Sequence, residues 1–96
     1  MLRHIILFKF KSTTTGGQRA ELKAMLEALP DQIEEIREFQ VGYDIIQAGR
    51  SYDMGLVASY DDADALARYA IHPAHVPVVK RAGELCDSVV ACDFLF

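Results

Sequence analysis

The chain has 96 residues, 51% of them hydrophobic, with 10 Lys and Arg against 14 Asp and Glu and a formal charge of −4. One domain spanning residues 1–96 is expected, since the length leaves no room for two. The balance excludes the concentrated basic footprint of a nucleic-acid binder, and the longest apolar run, Ile5 to Phe8, is far short of the roughly 20 residues of a membrane span.

Leu2 to Lys11 reads as a strand, with His4, Ile6, Phe8 and Phe10 on one face and Arg3, Ile5, Leu7 and Lys9 on the other. Both faces are apolar in the middle, the pattern of a strand covered on both sides. The chain enters this strand without the apolar core and cleavage site of a secretion signal, so a cytoplasmic protein is expected. A polar break with glycines, Ser12 to Gly17, precedes a predicted helix from about Gln18 to Leu29. There Leu22, Met25, Leu26 and Leu29 make one apolar stripe. After Pro30-Asp31, Gln32 to Arg37 is expected to add one helical turn carrying Ile33 and Ile36.

Glu38 to Asp44 is a second predicted strand and Tyr52 to Tyr60 a third, joined by a loop containing Gly49. Asp61-Asp62 then opens a helix to about Ile71, its acidic start complementing the helix dipole. Its packed stripe is expected to be Ala63, Leu66, Ala67 and Ala70. His72-Pro73 breaks it, because a residue before proline disfavours helical geometry. A further helix from about Ala74 to Leu85 and a last strand from Val89 to Phe96 complete the chain.

The order β-α-β-β-α-β is α+β and ferredoxin-like, with an antiparallel four-stranded sheet. A domain this small buries only about 60–65% of its unfolded surface, so so high an apolar share calls for a second buried surface. The apolar outer faces of the first and last strands put it between sheets, which predicts a homodimer through sheet faces. Cys86 and Cys92, the two cysteines, lie on or beside one strand. Six residues of extended chain separate them by about 20 Å, so they are expected as reduced, buried thiols and not as a disulfide.

His4-Ile5-Ile6-Leu7-Phe8-Lys9-Phe10-Lys11, Tyr69-Ala70-Ile71-His72-Pro73-Ala74-His75 and Cys92-Asp93-Phe94 together resemble the Dabb family, the stress-responsive dimeric α/β-barrel proteins. The resemblance covers nearly the whole chain. It implies a dimeric α/β barrel with a cavity between the sheet and the helices of each subunit. The family includes boiling-stable plant stress proteins without established chemistry and a plant polyketide cyclase that works without a cofactor. By resemblance to the cyclase branch, His75 takes the role of catalytic base and Tyr69 that of the hydroxyl that orients substrate or stabilises an oxyanion. The chemistry is consistent. Imidazole titrates near neutral pH and can take a proton beside a carbonyl, and a phenol can hydrogen-bond the enolate that forms. His4, Met54, Leu56 and His72 are the candidate ligand-binding residues. The cyclase-like pocket has a further histidine and a tyrosine where this chain has Met54 and Met25, which makes the expected cavity more apolar and flexible.

The same histidines have a structural reading, because imidazoles beside a helix break can satisfy loose backbone groups. No metal site is expected: His72 and His75 are three apart, but zinc sites usually need three or four protein ligands and no other residue is singled out. No cofactor is expected either. Two functions therefore stand side by side. One is a dimer binding a small hydrophobic or carbonyl-containing molecule, with cofactor-independent, cyclase-like acid–base chemistry. The other is a non-enzymatic stress or stability protein whose histidines are structural.

Overall fold

In the computed structural model, which describes residues Met1–Phe96, the first strand is β1 (Leu2–Phe10). Helix α1 (Gly16–Glu27) starts two residues earlier than the glycines led us to expect, because Thr15 caps it. The Gln18 N–H donates to Thr15 Oγ1 at 3.2 Å, and the Thr15 N–H donates to Gln18 Oε1 at 2.9 Å, a reciprocal capping box. Leu22, Leu26 and Leu29 are buried as the stripe predicted, while Met25 is half-buried at the edge of the core. Leu29 belongs to a single 3-10 turn, Leu29–Asp31. Residues 32–37 make turns instead of the expected helical one, yet Ile33 is buried at 1% exposure.

Strands β2 (Glu38–Tyr43) and β3 (Met54–Tyr60) follow, the latter starting two residues later than predicted, so Tyr52 lies outside it. Helix α2 (Ala63–Ala70) is capped by Asp62, whose carboxylate accepts from the Ala65 N–H at 2.8 Å. Its buried residues are Ala65 and Tyr69; Ala63, Ala67 and Ala70 are exposed and Leu66 is half-buried. The predicted stripe was therefore wrong by about one position. A tyrosine ring buries far more apolar area than alanine methyls, and the helix turns to place it inward. Helix α3 (Val76–Leu85) carries Pro77 in its first turn, where the missing N–H costs nothing. It passes directly into β4 (Cys86–Leu95), three residues sooner than expected.

The sheet order is β2-β3-β1-β4, every neighbouring pair antiparallel. This is the ferredoxin-like topology, with its second crossover divided into two helices. Cross-strand register puts His4, Ile6 and Phe8 beside Ala58, Leu56 and Met54 on one side and Asp93, Ala91 and Val89 on the other. Side chains alternate along a strand, so these residues share the helix-covered face. Most of the 17-residue core gathers there and on the helices above it. A register shift between Lys9 and Phe10 is held by Asp53, whose carboxylate accepts from the Phe10 N–H at 2.9 Å. Across the helices, Arg81 forks onto the Glu21 carboxylate at 2.9 and 3.0 Å, tying α3 to α1.

The opposite face is uncovered. Leu7, Val57, Val90 and Phe94 stand there at 37–45% exposure, and register places Cys92 beside Ile5 on the same side. Both cysteines are free, Cys86 buried and Cys92 exposed. The expectation of two buried thiols therefore fails for Cys92, whose position in β4 points it away from the helices. No helix is long and apolar enough to cross a membrane.

Candidate functional site

A cavity of about 480 Å³ opens between the helix-covered face of the sheet and α2 and α3. Its wall is mainly apolar, with Ile6, Phe8 and Leu56 from the sheet and Leu26, Leu66, Val78 and Ala82 from the helices. Four polar side chains enter it: His4, Tyr69, His75 and Asp93. An apolar volume with a few convergent polar groups is the usual form of a small-molecule site.

Tyr69 sits on the last turn of α2, inward with Ala65 and 2% exposed. The chain then turns at His72-Pro73. The His75 N–H donates to the His72 carbonyl at 2.9 Å, and the Ala74 N–H donates to His72 Nδ1 at 3.0 Å. This turn brings His75 back over Tyr69, their ring centroids 4.2 Å apart and tilted by 40°. His75 Nδ1 lies 3.0 Å from the Ala70 carbonyl oxygen. A carbonyl only accepts, so Nδ1 carries the proton and the lone pair of the neutral ring is on Nε2. Burial pushes the His75 imidazole below its ordinary range, the Ala70 carbonyl pulls it part of the way back, and His4 and His72 push it down further. Burial raises the Tyr69 phenol.

His4 comes from β1, its side chain 12% exposed, and its Nδ1 is hydrogen-bonded to Asp93 Oδ1. The two are direct cross-strand partners in the β1–β4 register, so the sheet itself sets the pairing. A carboxylate on Nδ1 fixes the ring and its tautomer, an arrangement common to general bases and ligand-binding histidines. His4 also meets Tyr69 edge to face, with centroids 6.2 Å apart.

Of the six residues read from the sequence as site residues, the structure brings together His4, Leu56, Tyr69 and His75. Met54 and His72 are outside the cavity wall. Met54 is 1% exposed in the core, opposite Phe8 on one side and Tyr43 on the other, where it packs away from this cavity. His72 serves the turn through its Nδ1 and thereby carries His75 into place. The expected methionine lining is thus absent, since Met25 also lies outside the wall. Sequence reasoning missed Asp93 as a site residue. It stands 89 positions from His4, and only the strand register brings the two together.

An antiparallel four-stranded sheet, helices on one face and a ligand-sized apolar cavity between them define a ferredoxin-like α/β-barrel protein. The family model described as the stress responsive A/B barrel domain matches residues 2–96, and the chain belongs to that family. It is 36% identical over 94 residues to an uncharacterised protein of Streptomyces coelicolor, covering 95% of this chain and 96% of that one. It is 27% identical over 77 residues to the olivetolic acid cyclase of Cannabis sativa, covering 78% of this chain and 76% of the cyclase. Among solved structures, a dimeric ferredoxin-like protein of unknown function from Thermobifida fusca superposes with a TM-score of 0.90 at 30% identity, covering 99% of this chain and 90% of that one.

Proposed function

We propose that the chain binds a small, largely apolar molecule carrying a carbonyl or hydroxyl group, and performs cofactor-independent acid–base chemistry on it. The observation that carries this reading is the pairing of Tyr69 and His75 at 4.2 Å on the wall of an apolar cavity, with His75 Nδ1 already engaged by the chain. The neutral ring therefore offers Nε2 as a base. In this reading Nε2 takes a proton from the carbon beside the ligand carbonyl, and the Tyr69 hydroxyl donates to the oxygen on which negative charge develops. His4, its Nδ1 held by Asp93, accepts through Nε2 from a second oxygen of the ligand when that oxygen is a hydroxyl. Likeness to the cyclase supports this chemical class.

The dimer belongs to the same proposal. The uncovered sheet face meets its twofold mate, as the description of the Thermobifida protein as dimeric favours. Residues 1–96 act as one domain, and the two free thiols fit a reducing cytoplasm.

One observation favours the rival reading of a non-enzymatic stress protein. The bond from His75 to the Ala70 carbonyl is also what a purely structural histidine would make. Crystals soaked with small phenolic and carbonyl compounds separate the two. Bound compound between Tyr69 and His75, lost in Tyr69→Phe and His75→Ala, is the expected result. A cavity that takes up none of them, together with a His75→Ala variant destabilised by about 1–3 kcal/mol, would defeat the ligand reading.

A further inference from the structure

Gly83 stands inside helix α3 and on the cavity wall. Glycine is a poor helix residue, so one inside a helix asks for a reason. The backbone supplies none, since no glycine of the chain has a positive φ and the helix ends at Cys86 without a glycine cap. Packing supplies none either, because a methyl group on Gly83 would meet nothing within 4 Å. What the missing side chain leaves free is space at the cavity. Gly83 is exposed there, as are Val79 at 53% and Val89 at 45%, and between these three wall residues the cavity reaches the surface as a slot.

The slot lies between α3 and β4, which diverge from one point because the helix runs into the strand without a loop at Leu85 and Cys86. That point is pinned: the Leu85 carbonyl accepts from the Lys11 N–H at 2.9 Å and from the Thr14 hydroxyl at 2.7 Å. Gly83 and Val89 are each three residues from Cys86, at the narrow end, whereas His75 and Asp93 stand far from it at the wide end. With its vertex fixed, the narrow end is as open as its side chains leave it. We propose that Gly83 is a specificity-determining residue: its missing side chain keeps the narrow end open, so that an apolar arm of the ligand passes out between Val79 and Val89. This rests on the ligand-binding reading of the cavity, in which the ligand oxygen is held at the end where His4, Tyr69 and His75 stand. Strand register sets the reach. Four residues, about 13 Å of strand, separate the His4–Asp93 pair from the Phe8–Val89 pair. A short arm stays inside that span, and only a long one meets Gly83.

The test measures binding of para-ethylphenol and para-hexylphenol to the full native chain and to variants at position 83. Gly83→Ala checks the fold alone and should melt several degrees higher, since the helix gains and nothing is crowded. Gly83→Leu and Gly83→Gln fill the narrow end with side chains of similar length, one apolar and one polar. Both should bind para-ethylphenol as the native chain does. Both should weaken para-hexylphenol by roughly 10- to 20-fold, the loss of two buried methylenes at about fourfold each. A loss shared equally by the two phenols would overturn the proposal, as would undiminished affinity for the hexyl compound or a Gly83→Ala chain that melts below the native one. A native chain that binds neither phenol removes the ligand reading of the cavity, and the role of Gly83 with it. Native binding of both phenols that the Leu and Gln variants keep removes the role of Gly83 alone.

Discussion

His75 is the residue on which pH acts most directly. Burial disfavours its charged form, so its folded value lies below that of the unfolded chain, about 6.5. The unfolded chain then binds the proton first as pH falls, and the native state loses stability in the window below about pH 6.5. Above it the contribution is complete and the ring is neutral, the form a general base needs. Comparing denaturant midpoints between pH 7 and 5.5 should show a steeper fall for the native protein than for His75→Gln. Equal slopes would mean that the imidazole is not penalised by its surroundings. His72 is expected to behave differently. Its Nδ1 accepts from the Ala74 N–H, so His72→Ala should cost about 1 kcal/mol and lower the melting temperature by about 4–8 °C. The affinity of the folded protein for a soaked compound should change little, since His72 is outside the cavity wall.

At the same scale, Tyr69 and His75 were picked out through the family resemblance, and both line the cavity. His72 was legible as a histidine but not as the hinge of the turn. Asp93 was not legible as a site residue. It joins the cavity wall through its cross-strand partner His4, and pairing across strands is set by register, which local periodicity leaves open.

Among the elements, the strands were the most legible, because alternation along β1 and β3 names the inward residues directly. In the third strand the sequence alternates Tyr52, Met54, Leu56, Ala58 and Tyr60; the last four are buried at 2% exposure or less, whereas Tyr52 precedes β3 and is half-buried. Short helices were harder. In α2 alanines recur on several faces, so the stripe could not be chosen by spacing, and the bulk of Tyr69 decided it. The start of α1 was misplaced because a capping box lets Gly16 and Gly17 begin a helix that their own propensity resists. Helix α2 has only eight residues and depends on its cap, Asp62. Asp62→Ala should destabilise the protein by about 1 kcal/mol, read as a lower denaturant midpoint. Because α2 presents Tyr69 from its last turn, hydrogen exchange should quicken at the α2 amides before it does at β1. Unchanged stability would show that tertiary packing alone holds the helix.

For the molecule as a whole, the decisive surface is the face without helices. Ile5, Leu7, Val57, Val90 and Phe94 spread over three adjacent strands, and the four most open of them stand at 37–45% exposure. A contiguous apolar patch on a small protein marks an interface. Two such sheets packed about 10 Å apart would bury it from both sides, and a stable dimer needs roughly 800 Å² from each partner. Sedimentation of the native chain at micromolar concentration should therefore give a dimer. Val57 lies on β3 beside Ile5 of β1, well inside the sheet, so Val57→Lys places a charge in that interface on each subunit. An unpaired buried charge costs roughly 3–5 kcal/mol, so the dimer should weaken on the order of a thousandfold or more and sediment as a monomer. The variant should keep its far-ultraviolet circular dichroism, because Val57 faces away from the helix-covered core. A variant that stays dimeric would move the interface to another surface, whereas a native chain that sediments as a monomer would leave the high apolar content of the outer face without its explanation.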